Sequence, residues 1–131
     1  MIGLDTNVLV RYVVQDDPKQ SAKASVLIES LTVASPGFIA LVSIVELVWV
    51  LQSCYESAKS EIIIVLETLL RTRELTVENP ETVWQALRNY SQANADFADC
   101  LIERSANAAG CKYILTFDSK AAKTAGMRPL T

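Results

Sequence analysis

Ile2-Gly3-Leu4-Asp5-Thr6-Asn7-Val8-Leu9-Val10-Arg11-Tyr12-Val13-Val14 is the stretch on which the fold turns. Ile2-Gly3-Leu4 reads as a short apolar strand and Asn7 to Val14 as a helical run, broken at Asp16-Asp17-Pro18. A strand that passes through one acid into a helix is the first half of a βα unit. The alternation continues outward from it. Lys19 to Leu31 is an amphipathic helix, Gly37 to Leu41 a second buried strand, Ser43 to Ser53 a helix and Ala58 to Arg73 another. Leu75-Thr76-Val77 is a weak strand, Pro80 opens a helix to about Tyr90, and Phe97 to Ala109 is the next, stopped by Gly110. Lys112 to Leu115 is then a strand and Ser119 to Thr124 a short helix. Such units predict an α/β class with a largely parallel sheet covered by helices on both faces.

A chain of 131 residues, half of them hydrophobic and 21% charged, suits one globular domain over 1–131 around a single core. The absence of histidine excludes Ser-His-Asp and Cys-His mechanisms, His-ligated zinc and His acid/base catalysis. Gly3, Gly37, Gly110 and Gly126 stand too far apart for a dinucleotide fingerprint or a P-loop. Cys54, Cys100 and Cys111 make no C-x-x-C pair, and their odd number argues against a disulfide framework; each sits where a reduced thiol is expected to be buried. The opening Met-Ile-Gly-Leu-Asp has no basic or long apolar leader, so the expected location is cytoplasmic. The run Phe38 to Leu51 contains Glu46 and is short for a membrane span.

Net charge is −3, a poor start for binding nucleic acid. Its distribution is uneven. Residues 110–131 hold Lys112, Lys120, Lys123 and Arg128 against Asp118 alone, while the preceding residues carry a net of −6. A basic C-terminal edge is therefore available to phosphate, with Lys120 and Lys123 the candidate substrate-binding residues.

Most carboxylates lie in polar or amphipathic surroundings, but a few adjoin the core. Asp5 ends the first strand, Glu46 is embedded in Leu41-Val42-Ser43-Ile44-Val45-Glu46-Leu47-Val48-Trp49, Asp96 and Asp99 bracket Phe97, and Asp118 follows Tyr113-Ile114-Leu115-Thr116-Phe117. Each has an ordinary reading as well: Asp5, Asp96 and Asp118 as N-caps, Ser43-x-x-Glu46 as a capping box, and Asp99 as an acid at the positive end of its helix. Taken together they suggest more. Asp5 and Asp118 fall at the C-terminal ends of expected parallel strands, the edge where open α/β sheets bind ligands, with Ser43 and Glu46 just past another. Four ionised carboxylates about 5 Å apart would repel by roughly 3 kcal/mol per pair at an effective dielectric of about 20. No buried basic residue is evident near these motifs, so a hard divalent cation, Mg²⁺ or Mn²⁺, is the simplest compensation. Such an ion supplies hydrolytic chemistry without histidine.

At these residues the sequence resembles the PIN-domain ribonucleases, and within them the VapC-type toxins of type II toxin-antitoxin pairs. The matching segments are Leu4-Asp5-Thr6-Asn7-Val8-Leu9, Ser43-Ile44-Val45-Glu46-Leu47 with Trp49, Asp96-Phe97-Ala98-Asp99-Cys100-Leu101-Ile102, and Thr116-Phe117-Asp118-Ser119-Lys120. They span nearly the whole chain. The resemblance implies a three-layer α/β/α fold about a mostly parallel sheet. It also implies an acidic metal and catalytic site at Asp5, Glu46, Asp99 and Asp118, with Asn7 and Thr116 as supporting groups. Asp96 is either a ligand or a supporting group. Further implications are Mg²⁺- or Mn²⁺-dependent endonuclease action on RNA, a homodimer, and inhibition by a VapB-like antitoxin.

Three other readings compete. A haloacid-dehalogenase-like phosphatase needs a second acid two residues after the first, where this chain has Asn7. A response-regulator receiver needs a central aspartate, and none occurs between Asp17 and Asp96. A PIN-like interaction module without activity stays open as the alternative, although all four acids are present. The helix from Ala58 to Arg73 carries Ile62, Ile63, Ile64, Val65 and Leu66 in succession, wider than one core stripe needs, and is the expected partner surface together with the helix at 7 to 14.

Overall fold

In the computed structural model, which describes all 131 residues, β1 (Ile2–Gly3) leads through Leu4 and Asp5 into α1 (Thr6–Val14). Next come α2 (Pro18–Glu29), β2 (Gly37–Ile39), α3 (Leu41–Cys54), α4 (Lys59–Arg71) and β3 (Leu75–Val77). These elements form the first of two compact units, Met1–Glu78. Its strands pair in parallel in the order β1-β2-β3, with Ile2 opposite Gly37 and Gly37 opposite Leu75. Backbone bonds from Leu4 to Phe38 and from Glu78 to Ile39, both 2.9 Å, carry the pairing past the strand ends. Gly37 is glycine for space, since a Cβ there would meet Leu31 and Leu4 side chains at 2.9 Å. Leu9, Ile39, Ile44, Leu47, Ile62 and Leu66 are buried and form the centre of this unit.

Helix starts in this unit are set by carboxylates, not all of them local. Asp17 accepts from the N–H groups of Lys19 and Gln20, with Pro18 at the first helical position. Glu61 accepts the N–H of Ala58 at 2.9 Å, which closes the start of α4. The N-cap position of α3 is Ala40, which cannot cap; the carboxylate of Glu78 takes the Leu41 N–H at 2.9 Å instead. This corrects the capping-box reading of Ser43-x-x-Glu46. The helix begins at Leu41, so Ser43 and Glu46 both stand inside it, Ser43 buried and Glu46 exposed.

The second unit, Asn79–Thr131, holds α5 (Pro80–Gln92), α6 (Phe97–Ala108), β4 (Leu115–Thr116), α7 (Ser119–Thr124) and β5 (Arg128–Pro129). Helices α5 and α6 pack on each other through Tyr90 and Phe97, whose rings meet edge to face at 5.7 Å and 87°. β4 and β5 are a parallel pair. β5 escapes sequence reading because it is two residues long and one of them is proline. The strand expected at Lys112 to Leu115 begins only at Leu115, while Tyr113 instead lies 4.4 Å under the Arg128 guanidinium. There is no disulfide. Cys100 is buried as expected, but Cys54 and Cys111 are exposed, because one ends α3 and the other follows the Gly110 turn. No helix is long and apolar enough to cross a membrane.

Candidate functional site

Two groups of acids take shape, one in each unit. In the first, Asp5 occupies the N-cap of α1 and accepts the Thr6 N–H at 2.8 Å. Thr6 then donates its hydroxyl to Oε1 of Glu46, also at 2.8 Å. One threonine thus ties the acid that caps α1 to the acid on α3. Thr6 was missed in the sequence, where it reads as a spacer; its position directly after Asp5 is the only signal it offers. The two acids, with Thr6, Asn7, Arg11 and Tyr55, line a groove of about 450 Å³.

Arg11 is the second residue that sequence reasoning passed over. Its Nε donates to Gln20 at 2.8 Å and its Nη1 to Asp16 at 2.9 Å and to the Tyr55 hydroxyl at 3.3 Å. Tyr55 in turn donates to the other Asp16 oxygen at 2.7 Å. The bond from Tyr55, seconded by that from Arg11, holds the Asp16 carboxyl below its ordinary range, and the bond to Asp16 holds the Arg11 guanidinium above its own. Positive charge therefore does adjoin Asp5 and Glu46. The sequence shows no buried basic residue near these motifs; Arg11 is half-buried and reaches the groove from the next turn of α1 after Asn7.

In the second unit Asp96 holds the N-cap position of α6 but makes no capping bond; its Oδ1 pairs with the Lys120 ammonium at 3.1 Å. Asp99 lies in the first turn of α6. Partial burial first, then repulsion from Asp96 and Asp118, pushes its carboxyl above the ordinary range, against the pull of Lys120. Asp118 caps α7, accepting from the N–H groups of Lys120 at 2.8 Å and Ala121 at 3.3 Å. Thr116 holds the same loop by accepting the Asp118 N–H at 3.0 Å. Lys123 is exposed in the last turn of α7.

In neither unit do three acidic or thiol side chains converge as ligands around one point. The acids instead have partners within the chain: Asp5 and Asp118 are turned to helix N–H groups, Glu46 to Thr6, and Asp96 to Lys120. What remains is a donor set of carboxylate, amide and hydroxyl oxygens without histidine, which suits a hard divalent ion. The repulsion felt by Asp99 is the kind such an ion relieves.

The family profile of the PIN domain matches residues 2–127. The chain belongs to the PIN-domain family. Its fold class is accordingly α/β, of the PIN-like three-layer α/β/α kind with a mostly parallel sheet. This PIN domain is similar to a curated relative described as VapC ribonuclease from Aquifex aeolicus (strain VF5), with 28% identity over 114 residues, 87% of this chain and 84% of that relative. Within the PIN domain, the groove-lining Asp5, Thr6, Asn7 and Arg11 all come from the segment quoted at the outset.

Proposed function

We propose that this PIN domain is a Mg²⁺- or Mn²⁺-dependent endoribonuclease, the toxin of a VapBC-type pair, acting in the cytoplasm as one nuclease domain over 1–131. The observation that carries the reading is the bridge from Asp5 through Thr6 to Glu46 at the mouth of a groove. Thr6 holds both acids at one groove, Asp5 through its backbone N–H and Glu46 through its hydroxyl, and a cation between them would offset their mutual repulsion. The match to the PIN domain and the likeness to a VapC ribonuclease support the same conclusion.

In this reading Asp5, Glu46, Asp99 and Asp118 hold the ion and are the catalytic acids. The ion, when bound, lowers the pKa of a coordinated water and offsets charge on the phosphoryl oxygens. The rest is done by the chain. Thr6 fixes the rotamer of Glu46, Thr116 fixes the backbone at Asp118, Asn7 offers an amide beside Asp5, and Asp96 restrains Lys120. Lys120 and Lys123 attract the phosphate backbone that the acids alone would repel. Exposed apolar surface on α4, Ile64 above all, supports burial against a second copy or a VapB-like antitoxin.

Incubation of the purified protein with total RNA and Mg²⁺ or Mn²⁺ tests the activity. Discrete fragments that vanish in EDTA are expected. RNA left whole with either ion, by protein shown to be folded, would reject the nuclease.

A further inference from the structure

Two grooves meet at Arg11. The first holds Asp5 and Glu46; the second, of about 250 Å³, is lined by Asn7, Val8, Arg11, Gln20 and Lys23 among others and contains no acid. Asn7 and Arg11 belong to both. A strand entering along α1 would therefore meet Lys23, then Arg11, then the acids. Arg11 lies roughly 9 Å along the helix axis from Asp5, close enough for a strand with one phosphate at the acids to bring a neighbouring phosphate to the guanidinium.

The guanidinium is also prepared for such a contact. Nε is fixed by Gln20 and Nη1 by Asp16 and Tyr55, so the plane of the fork is set, while Nη2 makes no hydrogen bond. A fixed fork with a spare edge loses little freedom on taking a phosphate oxygen. We propose that Arg11 is a positioning residue for RNA, its Nη2 edge holding a phosphate next to the one that is cut, with Lys23 continuing the path. The proposal rests on the ribonuclease reading and adds a substrate contact to it. Asp16 and Tyr55 then serve as the brace that aims Arg11.

The test uses a fluorescently labelled single-stranded RNA of mixed sequence and the Asp5→Asn chain, so that binding is read without cutting. Anisotropy titrations over a salt series should show the slope of log K against log salt falling in magnitude by about 0.7 in Arg11→Gln, the share of one single-strand phosphate. Arg11→Lys should restore the slope, a rescue that a purely structural role in bracing Asp16 and Tyr55 would not produce. A second measurement needs no Arg11 variant: RNA should protect Arg11, and not the exposed Arg88, from phenylglyoxal, as read by mass spectrometry. An unchanged slope, or equal modification of Arg11 with and without RNA, overturns the proposal while leaving the nuclease reading intact. Failure of the native and the Asp5→Asn chains alike to bind RNA would remove both.

Discussion

Asp118 serves two purposes at one position, because the carboxylate proposed to hold an ion also caps α7 through the N–H groups of Lys120 and Ala121. The two roles separate by substitution. Asp118→Ala should lose about 1 kcal/mol of stability in EDTA, as expected for a lost N-cap, whereas Asp118→Asn keeps a good cap and should melt near the native temperature. Both should abolish RNA cleavage. Thermal melts beside activity assays check this, and equal melting of the two variants would mean that the cap contributes nothing. Asp16 offers a pH test away from the acids. Its hydrogen bond from Tyr55 lowers its pKa from the ordinary 3.8, so ionised Asp16 favours the folded chain. That stability is present above the ordinary value and is lost as pH falls through the lower native one. Asp16→Asn should thus be less stable at neutral pH, with the gap closing in acid; a gap independent of pH would contradict the assignment. Asp5, Glu46, Asp99 and Asp118 stand out as candidates in the sequence because each acid abuts an apolar run. Thr6 and Arg11 do not, since their partners, Glu46 and Tyr55, are 40 and 44 positions away.

The order of elements could be read from hydrophobic period and breakers, from β1 through α7, with ends displaced by a few residues. What could not be read is what closes each element. The start of α3 depends on Glu78, which comes 37 residues after the Leu41 it caps, and β5 has no pattern of its own to betray it. Helix α4 shows the difference between a stripe and a surplus. Ile62, Leu66 and Leu69 are buried, while Ile64 is 64% exposed on the same helix. Ile62→Ala should therefore cost about 2 to 5 kcal/mol, and Ile64→Lys should leave the chain's own stability nearly unchanged. If α4 meets a second copy, Ile64→Lys should instead shift light scattering toward the monomer. Identical scattering of native and variant protein at all concentrations would place the partner surface elsewhere.

Across the whole chain the acid motifs are split between the units, with Asp5 and Glu46 in Met1–Glu78 and Asp99 and Asp118 in Asn79–Thr131. The net charge of −3 is likewise an average over an acidic majority and a basic final segment. Neither division was apparent from composition, because a sum over the chain hides where its charges lie. The PIN-domain resemblance spans both units, as does the family match over residues 2–127. The central proposal is that Asp5 and Asp99 are ligands of a divalent ion. Calorimetric titration of Mn²⁺ into the native chain and into Asp5→Asn and Asp99→Asn, one variant from each unit, tests it most directly. Both variants should bind at least about tenfold more weakly, since even groups outside the ligand shell alter affinity by that much. Native affinity in either variant would contradict the assignment of that acid as a ligand.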